Sequence, residues 1–223
     1  MPCPPPRLIE GAEWTLLRYT ALGQPVNRIT AARESPRWGH DIGGLPPALY
    51  VPFSVEMFPF AFHDTTVYVG TGTTFSVRRW ANSGSLLAEV RWQGALRPVS
   101  QADAERYREV MERRARPRHF DSRAWNRYPS EVPFPEFMPT YQRLLVDTEG
   151  NLWVEQFRTP WEDQPRWWVF DTQGVWLGEV VTPKYFYIFE IGTDYLLGVR
   201  RDQLGVEHVT MLPLLRDGRR DAH

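Results

Sequence analysis

Three stretches that align on a glycine decide the fold: WTLLRYTALGQPVNRIT at 14–30, FSVRRWANSGSLLAEVRW at 75–92 and WWVFDTQGVWLGEVV at 167–181. Four residues before the glycine stands an aromatic (Tyr19, Trp80, Phe170). Three after it comes an aliphatic (Val26, Leu87, Leu177), and six after it another (Ile29, Val90, Val180). Each stretch reads as strand, tight turn, strand, because Gly23, Gly84 and Gly174 supply the positive φ that short hairpin turns require. A second unit recurs as FHDTTVYVGTG at 62–72, LLVDTEGNLWVEQF at 144–157 and FEIGTDYLLGVRR at 189–201. It also places a polar turn between two apolar runs.

In chain order the units predict two strands at 14–31, four across about 49–92, four at 141–182 and three at 185–212. Four antiparallel strands per repeat is the blade of a β-propeller. The expected fold is therefore all-β: a partial β-propeller of four-stranded antiparallel blades with one inserted helix. Runs such as Trp167-Trp168-Val169-Phe170 abandon strict alternation, as strands covered on both faces do. A β-sandwich is the competing architecture, and the repeat favours the propeller. The chain divides into a Pro-rich segment at 1–13, one propeller-like domain at 14–215 and a polar tail at 216–223. Within the domain, a helix and loop are inserted at about 97–140. Ser100 reads as the helix N-cap with Asp103 three residues on. Ala104, Tyr107, Met111 and Ala115 form an apolar stripe at helical spacing, and Pro117 ends it. A Pro-rich loop is expected from there to about residue 140.

Composition agrees. Ten Trp, nine Tyr and twelve Phe in 223 residues supply a large core, while twenty Pro and sixteen Gly favour turns over long helices. A net charge of −1 and a pI near 6.5 set nucleic-acid binding aside. The single Cys3 excludes an intrachain disulfide and a cysteine-based zinc site. No run approaches the ~20 apolar residues of a membrane helix. The opening Met-Pro-Cys-Pro-Pro-Pro lacks the charged start and apolar run of an export signal, which leaves the compartment open.

The stretches Pro133-Phe134-Pro135-Glu136, Pro139-Thr140-Tyr141, Arg143-Leu144-Leu145-Val146-Asp147 and Gly150-Asn151-Leu152-Trp153-Val154-Glu155 resemble bacterial six-bladed β-propeller proteins. Their relatives are the NHL-repeat and TolB-like propellers. Trp168-Val169-Phe170-Asp171, Leu177-Gly178 and Val206-Glu207-His208-Val209 carry the same resemblance, which is most specific over 129–212. It implies roughly the C-terminal half of such a propeller, and it brings no catalytic residues or cofactor. The proteins it resembles are about twice as long and often exported.

No catalytic or metal motif outweighs a structural reading. Asp147-Thr148-Glu149-Gly150-Asn151 has its glycine in the fourth position, not the sixth of a calcium loop, and reads as a hairpin turn. Gly70-Thr71-Gly72 lacks the helix and lysine of a phosphate loop. A Gly-x-Ser-x-Gly nucleophile motif is absent. His40, His63, His119, His208 and His223 show no metal-ligand spacing. The arginines at 113, 114, 116 and 118 read as a solvated helix face. Two candidates remain. Trp161 and Arg166, in the loop Thr159–Trp167, are residue types enriched in interface hot spots. His63 and Asp64, where a blade begins, could face the central channel.

The expectation is thus a non-enzymatic binding or protein-interaction module using loops on one propeller face. Its partner would be a protein or small molecule, with no cofactor, metal, nucleic acid or membrane span. Thirteen strands make about three and a quarter blades, short of a ring, so a second copy is expected to complete it as a homodimer. The competing reading is a propeller hydrolase, lactonase or lyase with a channel-bound divalent metal held by residues such as His63, Asp64, Asp147 and Glu190. A third takes the chain as a truncated gene product without independent function.

Overall fold

The computed structural model describes residues 7–39, 48–92, 94, 96–114, 122–202 and 204–215. In chain order, β1 (Arg7–Ile9) is followed by the hairpin β2 (Glu13–Tyr19) and β3 (Pro25–Arg33), then by β4 (Arg37–Gly39) and β5 (Ala48–Tyr50). The first four-stranded sheet comprises β6 (Phe60–His63), β7 (Thr66–Gly70), β8 (Ser76–Ala81) and β9 (Leu86–Arg91). Helices α1 (Gln101–Arg113) and α2 (Ser122–Glu131) intervene. The second four-stranded sheet is β10 (Tyr141–Val146), β11 (Leu152–Gln156), β12 (Arg166–Phe170) and β13 (Trp176–Val181). The last sheet is β14 (Phe186–Ile191), β15 (Tyr195–Arg201) and β16 (Glu207–Pro213). All pairings are antiparallel between neighbours in sequence, apart from β1, which pairs with β4.

One turn chemistry builds half of these hairpins. At Gly23, Gly84, Gly150, Gly174 and Gly205 the glycine N–H donates to the carbonyl three residues back, and φ lies between 78° and 92°. Three of the five begin with an aspartate. Asp147, Asp171 and Asp202 each accept the backbone N–H groups two and four residues on. The repeat is therefore wider than the three glycines that align by sequence.

The sheets pack face to face in chain order. Ile29, Phe58, Val67 and Val69 join β3 to the first four-stranded sheet. Tyr68, Phe75 and Val77 of that sheet meet Tyr141, Leu144, Val154 and Phe170 of the second. The opposite face of the second sheet presents Trp153, Trp167 and Val169 to Phe186, Ile188, Ile191 and Leu196 of the last. Strands β6 and β10 run beside each other, as the innermost strands of adjacent propeller blades do. The molecule is an all-β stack of antiparallel sheets, in the arrangement of a propeller arc.

Two features differ from the sequence expectation. The first four-stranded sheet starts at Phe60 and not near residue 49, because Ala48–Tyr50 pairs with β4 in a separate three-stranded sheet, β1-β4-β5. Much of the expected Pro-rich loop is a second helix, α2, which contains Pro129. Packing outweighs the proline there. Trp125, Tyr128 and Val132 cluster with Met111 of α1 against Trp38 and Leu49 of the small sheet. In addition, Arg108 Nε donates to the Pro129 carbonyl at 3.1 Å. The α1 start is as read, with reciprocal Ser100 and Asp103 bonds forming a capping box. Ala115 and Pro117 lie outside the described residues.

Candidate functional site

Antiparallel order puts the starts of β10 and β14 at the same end of the stack as the β11–β12 loop, residues 157–165. A groove of about 730 Å³ opens there. One wall is the loop, with Arg158, Thr159 and Asp163, and the other is Tyr185, Tyr187 and Phe189. These three aromatics are 72%, 54% and 63% exposed. Tyr185 also has a φ of 59°, a left-handed conformation rare for an aromatic residue. Such backbone outliers gather at ligand sites. Adjoining the groove is an open pocket of about 420 Å³ that shares Gln142, Arg158 and Tyr187 with it and is bordered by Arg143 and Glu155.

Most charges of the groove are paired. Glu155 is buried, and its Oε1 accepts from Arg158 Nη2 at 2.9 Å, Arg158 Nε at 3.2 Å and Gln142 Nε2 at 3.0 Å. Lys184 pairs with Asp163 at 2.5 Å and Arg201 with Glu207 at 2.6 Å. Arg143 differs: it forms no ion pair among the described residues. Its guanidinium lies 3.9 Å from the Tyr187 ring centroid and 5.7 Å from that of Trp167, and its Nη2 donates to the Ile188 carbonyl. Burial pushes the Arg143 pKa down, partly offset by Tyr187 and Glu155. A guanidinium nevertheless stays charged at neutral pH.

The residues singled out from sequence fall at both ends of the stack. Trp161 is half-buried at the groove end. Its ring packs edge-on against Phe53, centroids 5.9 Å apart, with the Arg106 guanidinium 5.0 Å above it. It clamps the loop onto α1. Arg166 starts β12 and pairs with Glu179 at 2.6 Å. His63 and Asp64 form the β6–β7 turn at the opposite end, beside Gly150, with 3.8 Å between His63 Nδ1 and Asp64 Oδ2. Glu190 accepts from the Tyr195 hydroxyl. Asp147 is buried, and its Oδ2 accepts from Asn151 Nδ2 and Trp153 Nε1 at 2.9 and 3.0 Å. With Oδ1 holding two backbone N–H groups, both its oxygens are engaged by the turn. Among the described residues, no three His, Cys, Asp or Glu come together as metal ligands.

Sequence reading missed the charged row itself. Arg143 stands opposite Glu155, and Glu155 opposite Trp167. That register follows by counting outward from the Asp147–Gly150 turn, so the row was readable as a pair of charges in two otherwise apolar strands. No protein-family model and no curated protein matches the sequence.

Proposed function

We propose that this chain is a non-enzymatic binding module that receives a ligand with an aromatic or apolar body in the groove beside loop 157–165. The observation that carries this reading is the wall of three exposed aromatics, Tyr185, Tyr187 and Phe189, on a groove of about 730 Å³. That volume lies within the ~300–1,000 Å³ of small-ligand sites. Neutralised ion pairs fix the rim, and the exposed aromatics offer stacking surface beside the side of Tyr187 that the Arg143 guanidinium covers. Saturation-transfer NMR with phenylacetamide as the neutral probe tests it. The probe is expected to bind the native chain and to lose its signal in a Tyr187→Ser, Phe189→Ser double variant. A probe that never binds, or binds the variant equally well, refutes the reading.

The same reading takes the architecture as that of the six-bladed NHL-repeat and TolB-like propellers, with the ring completed by a second copy. It is supported by the sheet stacking and by the uncovered far face of the last sheet, where Val209 and Met211 are 80% and 62% exposed. Light scattering should then give about twice the 26.1 kDa chain mass. A well-folded monomer that binds no hydrophobic dye would contradict it.

A further inference from the structure

Arg143 and Arg158 border the same pocket beside the groove, and their surroundings differ. Arg158 engages all three of its nitrogens: Nε and Nη2 donate to Glu155, and Nη1 donates to the Asp163 carbonyl at 3.3 Å. Of the five N–H donors that a guanidinium carries, Arg143 uses one among the described residues, on the Ile188 carbonyl. The Tyr187 ring of the last sheet and the Trp167 ring of the second lie 3.9 and 5.7 Å from the guanidinium. The pocket that Arg143 borders gives an acceptor a way to its remaining donors. A partly buried cation whose counter-charge, Glu155, acts on it without a direct ion pair is costly, and an apolar side chain of similar volume would fill the same space without that cost.

We propose that Arg143 is the anchor for a carboxylate carried by the groove's ligand. This rests on the reading of the groove as a binding site and gives that ligand its chemical class: a monocarboxylate on an aromatic or apolar body. The planar fork of a guanidinium matches a carboxylate in its own plane. The pocket of about 420 Å³ that Arg143 borders opens toward the aromatic wall through Tyr187, which the two spaces share. A carboxylate seated at Arg143 thus leaves its apolar body against Tyr187 and Phe189. Gln142 lies beside it, with its Nε2 on Glu155 and its Oε1 accepting the Arg158 backbone N–H at 3.2 Å.

Calorimetric titration at pH 7 with phenylacetate and phenylacetamide separates the anchor from the groove. The acid is expected to bind at least tenfold more tightly than the amide. Arg143→Met should remove that advantage, so that acid and amide bind the variant with equal affinity. Arg143→Lys, which keeps the charge and loses the fork, should retain part of it. Circular dichroism checks that each variant is folded, and Arg143→Lys carries the test if Arg143→Met is not. Equal binding of acid and amide to the native chain overturns the anchor and leaves the groove standing. An acid advantage that survives in a folded Arg143 variant at full strength also overturns it. If neither probe binds, both readings fall.

Discussion

The two faces of the second four-stranded sheet are built from the same strands and do different things. Toward the first sheet, rows Leu144-Val154-Trp168 and Val146-Leu152-Phe170 are apolar across the three inner strands, and the first of them meets a charge only at exposed Glu179 on the outer strand β13. Tyr141 closes their end, fully buried, with its hydroxyl donating to the Ser76 carbonyl at 2.8 Å. The fit is close enough that a Cβ on Gly70 would sit 1.8 Å from that hydroxyl. Toward the last sheet, the row Leu145-Trp153-Val169 is equally apolar, but the next row is Arg143-Glu155-Trp167. At that end the packing gives way to a pocket and a groove. One face fills its inner-strand rows with core residues and keeps its polar groups, Gln156 and Glu179, at the edge. The other keeps charge where an apolar row would pack, which is the pattern expected of a site and not of a scaffold.

If this contrast is right, truncations on the closed face should be the most damaging. Tyr141→Ala removes a large, fully buried ring and should cost about 3–5 kcal/mol in a denaturant titration. A loss below about 1 kcal/mol would mean that the first interface is looser than its packing indicates.

Tyr141 also gives the closed face a pH signature. Burial pushes its phenol up to about 12 from an ordinary 10.0, so the folded state holds the proton more tightly than the unfolded chain. Its contribution is complete below pH 10 and is lost as pH rises from 10 to 12, on the order of 3 kcal/mol in all. Tyr128 and Tyr107 are shifted in the same direction by burial and add to the alkaline loss. Stability measured against pH should therefore fall above pH 10. Tyr141→Phe should remove its share of that slope, at a cost of about 1 kcal/mol at neutral pH for the missing hydrogen bond.

The smallest effects separate the tryptophans. Trp168 packs against Phe75 and Trp92, centroids 5.5 and 5.0 Å away, and Trp168→Ala should cost about 3 kcal/mol. Trp161 rests on Phe53 and Arg106 with part of its ring in solvent, and Trp161→Ala should cost about 1 kcal/mol. Equal midpoint shifts would erase the distinction between strand and loop that the fold draws.

Much of this architecture was legible in the sequence because hairpin turns are local. A glycine at positive φ, an aspartate three residues before it and apolar runs on either side specify strand, turn and register together. The α1 capping box was legible for the same reason. The small sheet was not, since β1, β4 and β5 have three residues each and repeat nothing. The second helix was hidden by Pro129 and by the prolines after it, and only tertiary packing of Trp125 and Tyr128 accounts for it. At the groove, Trp161 was readable as a notable residue, although it holds the loop to α1. The Arg143–Glu155 pairing follows from hairpin counting. The Tyr187 contact of Arg143 does not, because it depends on how the last sheet packs against the second.

The central claim is that Arg143 is retained for binding and not for stability. Thermal unfolding of Arg143→Met beside the native chain, each with and without phenylacetate, tests it most directly. The account predicts that the two free proteins melt within a few degrees of each other, because Met keeps the packing and removes an unpaired cation. Phenylacetate should then raise the midpoint of the native chain alone. A variant that loses several kcal/mol, with a native chain indifferent to phenylacetate, would make Arg143 a structural residue and contradict the account.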